Sequence, residues 1–129
     1  MSKITLNESL YSRIGGDDAI AKVLNIFYKK IMSDDKLLPF FKDVEIERLI
    51  SKQRIFLTFA MGGPTDYTYW QRGLRNAHAQ SVEQGLSDVH FDLVVEHMAK
   101  SLEQIAIPDD LIAEVKEVVE ATRKHVLNR

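Results

Sequence analysis

Apolar residues recur along this chain every three or four positions rather than every two, between stops at Gly15-Gly16, Gly62-Gly63-Pro64, Gly73, Gly85 and Pro108. That period predicts helices throughout and an all-α fold. Asn7 is placed to cap a short first helix ending at Gly15-Gly16, and Asp17 to cap a second whose face carries Ile20, Val23, Leu24, Phe27 and Ile31. Tyr28 falls on the edge of that face, and the helix stops near Ser33-Asp34-Asp35. Leu37-Leu38-Pro39-Phe40-Phe41 is too apolar for an exposed loop and should lie over a core.

From Glu45 the stripe Ile46, Leu49, Ile50, Gln53, Leu57 and Ala60 keeps helical spacing up to Gly62-Gly63-Pro64, with Gln53 its one polar member. A loop from Thr65 to about Arg72 leads to a short helix bearing Leu74, His78 and Val82. A fifth helix opening at Ser87-Asp88 groups Phe91, Val94, Val95, Met98, Leu102 and Ile105. The last, opening at Pro108-Asp109, groups Leu111, Ile112, Val115, Val118, Val119 and Val126. No repeat, low-complexity tract or linker divides the chain, which reads as one domain over 1–129.

Composition narrows the chemistry. The chain has 129 residues, 45% hydrophobic and 28% charged, with net charge −2, enough for one domain with a sizeable core. Having no cysteine, it cannot form disulfides, zinc ribbons or thiolate-held clusters, so any metal must take His or oxygen ligands. The charge balance offers no basic stripe for nucleic acid. No run approaches the roughly 20 apolar residues of a membrane span, and the first residues carry no signal-peptide pattern, so a cytoplasmic location is expected.

Phosphate loops, helical zinc motifs and calcium loops are absent, which leaves the histidines and the misplaced polar residues. His90 and His97, seven apart on a helix, stand about 10 Å apart and cannot share a metal. Beside Glu96 and Lys100, His97 is expected on a solvated face, and His125 among the basic residues of the last helix's end. His78 has Leu74 and Val82 as its helical neighbours, so its imidazole belongs to an apolar face. Tyr28 and Gln53 present hydrogen-bonding groups to the same interior. Two readings stand: a satisfied core, with Tyr28 and Gln53 paired to each other or to backbone, or a buried flat cofactor such as haem with a small polar ligand.

Several motifs in order carry a resemblance: Leu10-Tyr11-Ser12-Arg13-Ile14-Gly15-Gly16, Phe27-Tyr28-Lys29-Lys30, Phe40-Phe41, Lys52-Gln53 with Phe56-Leu57 leading to Gly62-Gly63-Pro64, Ala77-His78, and His90-Phe91-Asp92. From about Leu10 onward the chain resembles the truncated, two-over-two haemoglobins of group I, with residues 1–9 as an extension. The resemblance implies a two-over-two helical sandwich around non-covalent haem b, with His78 as proximal iron ligand and Phe41 as the wedging aromatic. It makes Tyr28 and Gln53 the distal donors to bound O₂, with the less polar Leu49 where some relatives have another glutamine.

Phe56, Leu57, Leu74, Phe91, Val95, Met98 and Leu102 become candidate haem contacts or gas route, and Arg48, Lys52 and Tyr67 candidates for the propionates. Lys52 matches a position that supplies a sixth iron ligand in some relatives, a role requiring the neutral amine. Cyanobacterial relatives carry, where Thr122 stands, a histidine bonded to haem, so covalent attachment is not expected. The implied function is reversible binding of O₂, NO and CO for storage, transport or sensing; no exposed amphipathic stripe demands a dimer, so a monomer is expected. Dioxygenation of nitric oxide would need an external reductase. The alternatives are a six-coordinate electron-transfer haem protein closed by Lys52, and a cofactor-free helical interaction domain.

Overall fold

Gly15 sets where the first long helix begins. Its φ of +116° suits glycine alone, and a Cβ there would come within 3.0 Å of the Ala19 Cβ. In the computed structural model, which describes residues 9–41, 44–62, 78–79 and 81–129, and only the backbone at 56, 59 and 60, α1 spans Leu10–Arg13 and α2 spans Gly16–Met32. A 3₁₀ turn, Leu38–Phe40, leads to α3, Ile46–Ala60. Residues 78–79 and 81–83 are helical. There follow α4, Asp88–Gln104, α5, Asp109–Glu120, and α6, Arg123–Val126. Among the described residues there is no strand.

The predicted stripe of α2 is the centre of the core, with Ile20, Val23, Leu24, Phe27 and Ile31 all buried. Fully burying each large aliphatic contributes about 1.5–3 kcal/mol, and α2 does so on two sides because it packs against both α3 and α4. Helix α4 packs in turn on α5, while α1 touches α2 and α5. The result is two helix pairs, α2 with α3 and α4 with α5, laid across each other as a two-over-two sandwich. Leu37 is completely buried and Phe41 half-buried against the core, as the composition of that segment requires.

Three local expectations change. Ser9 caps α1, its Oγ accepting the Ser12 N–H at 3.2 Å, whereas Asn7 lies outside the described residues. Gly15 is the N-cap of α2, so Asp17 falls in the first turn, where its carboxylate meets the helix's positive end and makes a two-point ion pair with Arg54 of α3. The final helix is broken at Ala121 and Thr122 into α5 and α6. Arg13 ties α1 to Glu114 of α5 through two bonds of 2.7 and 2.8 Å. Such exposed pairs fix orientation more than they stabilise.

The residues after His78 end in a tight reversal. The Leu86 N–H donates to the Ser81 carbonyl at 2.9 Å and the Gly85 N–H to that of Val82 at 3.0 Å, with Gly85 at φ +106°. Ser87 and His90 then cap α4 reciprocally, the Ser87 N–H donating to His90 Nδ1 at 3.0 Å. Residues 81–86 thus lead by a short, hydrogen-bonded turn into the start of α4.

Candidate functional site

Tyr28 stands at the edge of the α2 stripe and is only 4% exposed. Its ring meets Phe27 edge-on at 4.9 Å between centroids and Phe41 at 6.4 Å. Burial pushes the phenol pKa far above its ordinary value, so the group is a neutral donor at any physiological pH. None of the described residues hydrogen-bonds its hydroxyl. On α3, Gln53 is half-buried, one turn after half-buried Leu49 and one turn before buried Leu57. Its amide too has no partner among the described residues. Among the described residues, these two groups pair neither with each other nor with backbone.

The apolar surroundings come from four elements. Leu57, Phe91, Met98 and Leu102 belong with Tyr28 to one buried cluster, and Phe41, Leu49 and Val95 pack against it. His78 is helical and half-buried. Arg48 and Lys52 lie one turn apart on α3, exposed and without an ion pair among the described residues. Tyr67, Leu74 and the side chain of Phe56 lie outside what is described.

These residues fit a haem. A flat macrocycle needs apolar walls from several elements, an imidazole for iron, donors for a polar ligand, and cations at a rim for its carboxylates. A Tyr28 hydroxyl with no described partner in an otherwise apolar cluster is the feature that a merely packed core would lack. Fold and residues together define an all-helical protein of the haem-binding, two-over-two class.

Comparison with known proteins narrows the class. A family profile described as "Bacterial-like globin" matches residues 9–128. A "Group 1 truncated hemoglobin GlbN" of Synechocystis is 38% identical over 94% of this chain and 98% of its own length. The 2/2 hemoglobin of Synechococcus, solved in the cyanomet state with covalently attached heme, superposes with a TM-score of 0.84 at 33% identity over 95% of this chain and 100% of that one. THB1 of Chlamydomonas reinhardtii gives 0.79 at 36% identity over 93% and 97%. The chain belongs to the bacterial-like globins, in their group 1 truncated branch, a family whose work is haem-based binding of diatomic ligands.

Three polar residues hold places that periodicity did not reveal. His97 is not on a solvated face: its Nε2 lies 2.7 Å from Asp34 Oδ2, with both side chains less than a fifth exposed. Hydrogen bonding from His97, helped by the Lys36 N–H, holds the Asp34 carboxyl below the usual range. Arg123 sits 4.4 Å above the Phe91 ring among three carboxylates. The spacing of Asp88, Asp92, Glu120 and Arg123, at i,i+4 and i,i+3, was the available signal. Thr122 turns its hydroxyl back to the Val119 carbonyl at 2.6 Å.

Proposed function

We propose that this chain holds a non-covalent haem b through His78 and binds O₂, NO and CO reversibly beneath the Tyr28 hydroxyl. Haem iron supplies the open coordination position for the diatomic. The observation that carries the reading is the pair of donors, Tyr28 and Gln53, without partners among the described residues in an apolar setting. Tyr28 donates to the partly negative end of the ligand, and Gln53 adds an amide donor from α3. Phe41, Leu49, Leu57, Phe91 and Met98 exclude water, which strengthens both hydrogen bonds. Phe56 and Leu74 take the same role by resemblance.

Arg48 and Lys52, with Tyr67, meet the propionates at the rim. Lys52 is exposed, which favours that role over iron ligation. Thr122, standing where the haem-bonded histidine of cyanobacterial relatives falls by resemblance, favours non-covalent haem. Val44, Ile55 and Val89, the exposed large hydrophobics among the described residues, stand before α3, on α3 and on α4 respectively rather than on one helix face, which suits a monomer. Given an external reductase, the same donors would orient O₂ for dioxygenation of nitric oxide to nitrate, one electron being consumed per turnover.

The test is His78→Gly in haem-loaded protein. The reading predicts loss of the imidazole-ligated ferrous spectrum and its return on adding free imidazole. A variant whose ferrous spectrum matches wild type would remove His78 from the iron.

A further inference from the structure

The guanidinium of Arg123 is gripped from three sides. Its Nε and one Nη bond Glu120 at 2.5 and 2.9 Å, that Nη also meets Asp92 at 2.5 Å, and the other meets Asp88 at 2.9 Å. Arg129 holds Asp88 from the far side at 2.8 and 3.0 Å. The side chain is only 19% exposed, and its charged plane lies 4.4 Å from the centroid of Phe91, itself buried in the core cluster. An isolated exposed arginine would swing freely. This one is fixed by α5 on one side and by the first two turns of α4 on the other, and the ring beneath it is fixed in turn.

We propose that Arg123 is a positioning residue for the haem pocket: the carboxylate-held guanidinium locks the Phe91 ring and the start of α4, and so sets where the His78 segment delivers its imidazole. The chain path supports this. Only residues 84–87 separate the helical residues after His78 from α4, and that stretch is closed by the Leu86-to-Ser81 bond and the Ser87–His90 cap. A displacement of α4's first turn therefore passes into the helical residues 81–83, which follow His78 closely in the chain, rather than being absorbed in a long loop. Lysine cannot replace Arg123 fully, because a point charge cannot bond three carboxylates in a plane and stack on a ring at once. The inference rests on the haem reading above.

The experiment compares haem-loaded wild type, Arg123→Met, Arg123→Lys and Arg54→Met. The last removes another two-point arginine pair, one that joins α3 to Asp17 of α2. Three quantities are read: the rate of haem loss to excess apomyoglobin, the iron–histidine stretching band of the ferrous form, and the urea midpoint of the haem-free chain. Arg123→Met should lose haem about tenfold faster, the magnitude of a lost supporting contact around a metal ligand, and should shift the stretching band. Arg123→Lys should fall between, and Arg54→Met should match wild type in both haem readouts.

A changed urea midpoint with unchanged band and loss rate would overturn the inference and leave Arg123 a structural staple. If Arg123→Met does not fold, Asp92→Asn with Glu120→Gln loosens the grip without removing the stack, and the same two haem readouts must move. A wild type that takes up no haem overturns the haem reading and this inference with it. Normal loading with unaffected variants overturns the inference alone.

Discussion

Replacing Tyr28 with phenylalanine should separate what this residue does for the fold from what it does for the ligand. A buried tyrosine whose hydroxyl is paired loses about 1 kcal/mol of stability on such a change. Here no described residue bonds the hydroxyl, while the ring keeps its edge contacts with Phe27 and Phe41. The haem-free variant should therefore keep wild-type stability, or gain up to about 1 kcal/mol from no longer burying a hydroxyl that no described residue bonds.

Ligand release should move the other way. A donor to a partly charged oxygen in a dry site is worth about 1–2 kcal/mol, and with tenfold per 1.36 kcal/mol the O₂ off-rate should rise about 5- to 30-fold. Urea titration of the haem-free chain and stopped-flow displacement of O₂ by CO measure the two effects. A variant destabilised by 1 kcal/mol or more with an unchanged off-rate would show that the hydroxyl serves the core. Because burial raises the folded phenol pKa, its share of stability is present below the unfolded value of about 10 and falls as pH rises past it. Tyr28→Phe should blunt that alkaline loss.

Three further outcomes follow from single contacts. Ala106 ends α4 at φ +63°, with the Ile107 N–H on the Leu102 carbonyl and its own on that of Glu103. Ala106→Gly should raise stability by about 0.5–1 kcal/mol without altering ligand binding, as urea titration can check. The Asp34 carboxyl is held low chiefly by His97, so its contribution is present above the unfolded value of about 3.9 and lost as pH falls through the lower folded value. Asp34→Asn should cost about 1 kcal/mol near neutrality, less after screening of a partly exposed pair, and nearly nothing at the acid end; a pH-independent loss would refute the assignment. Lys52→Ala should leave the ferric spectrum and ligand on-rates unchanged, since the side chain is exposed. Faster ligand binding with an altered spectrum would make Lys52 an iron ligand.

The α2 stripe could be read directly, because a helix covered on two sides repeats its apolar residues without interruption. Tyr28 and Gln53 were visible for the complementary reason, as hydrogen-bonding groups set into such stripes. Pairings between helices were not. Asp34 and His97 meet only because α4 crosses the end of α2, 63 residues along the chain, and Arg123 reaches Phe91 only through the packing of α5 on α4. The break after Glu120 carries no glycine or proline, and lies where Thr122 bonds back to Val119 and Arg123 is drawn to α4. The start of α2 departs from what residue type suggests because Asp17, a good cap by type, is recruited by Arg54 while Gly15 supplies the left-handed entry.

Whether the chain holds haem for diatomic ligands is decided by one set of absorption spectra. Protein purified with haem available would be measured ferric, after dithionite, and then under carbon monoxide. A haem protein ligated through His78 gives a strong Soret band that moves on reduction, with a five-coordinate ferrous form, and moves again with carbon monoxide. Absence of a Soret band after reconstitution with haem would contradict haem binding and leave a cofactor-free helical domain in its place.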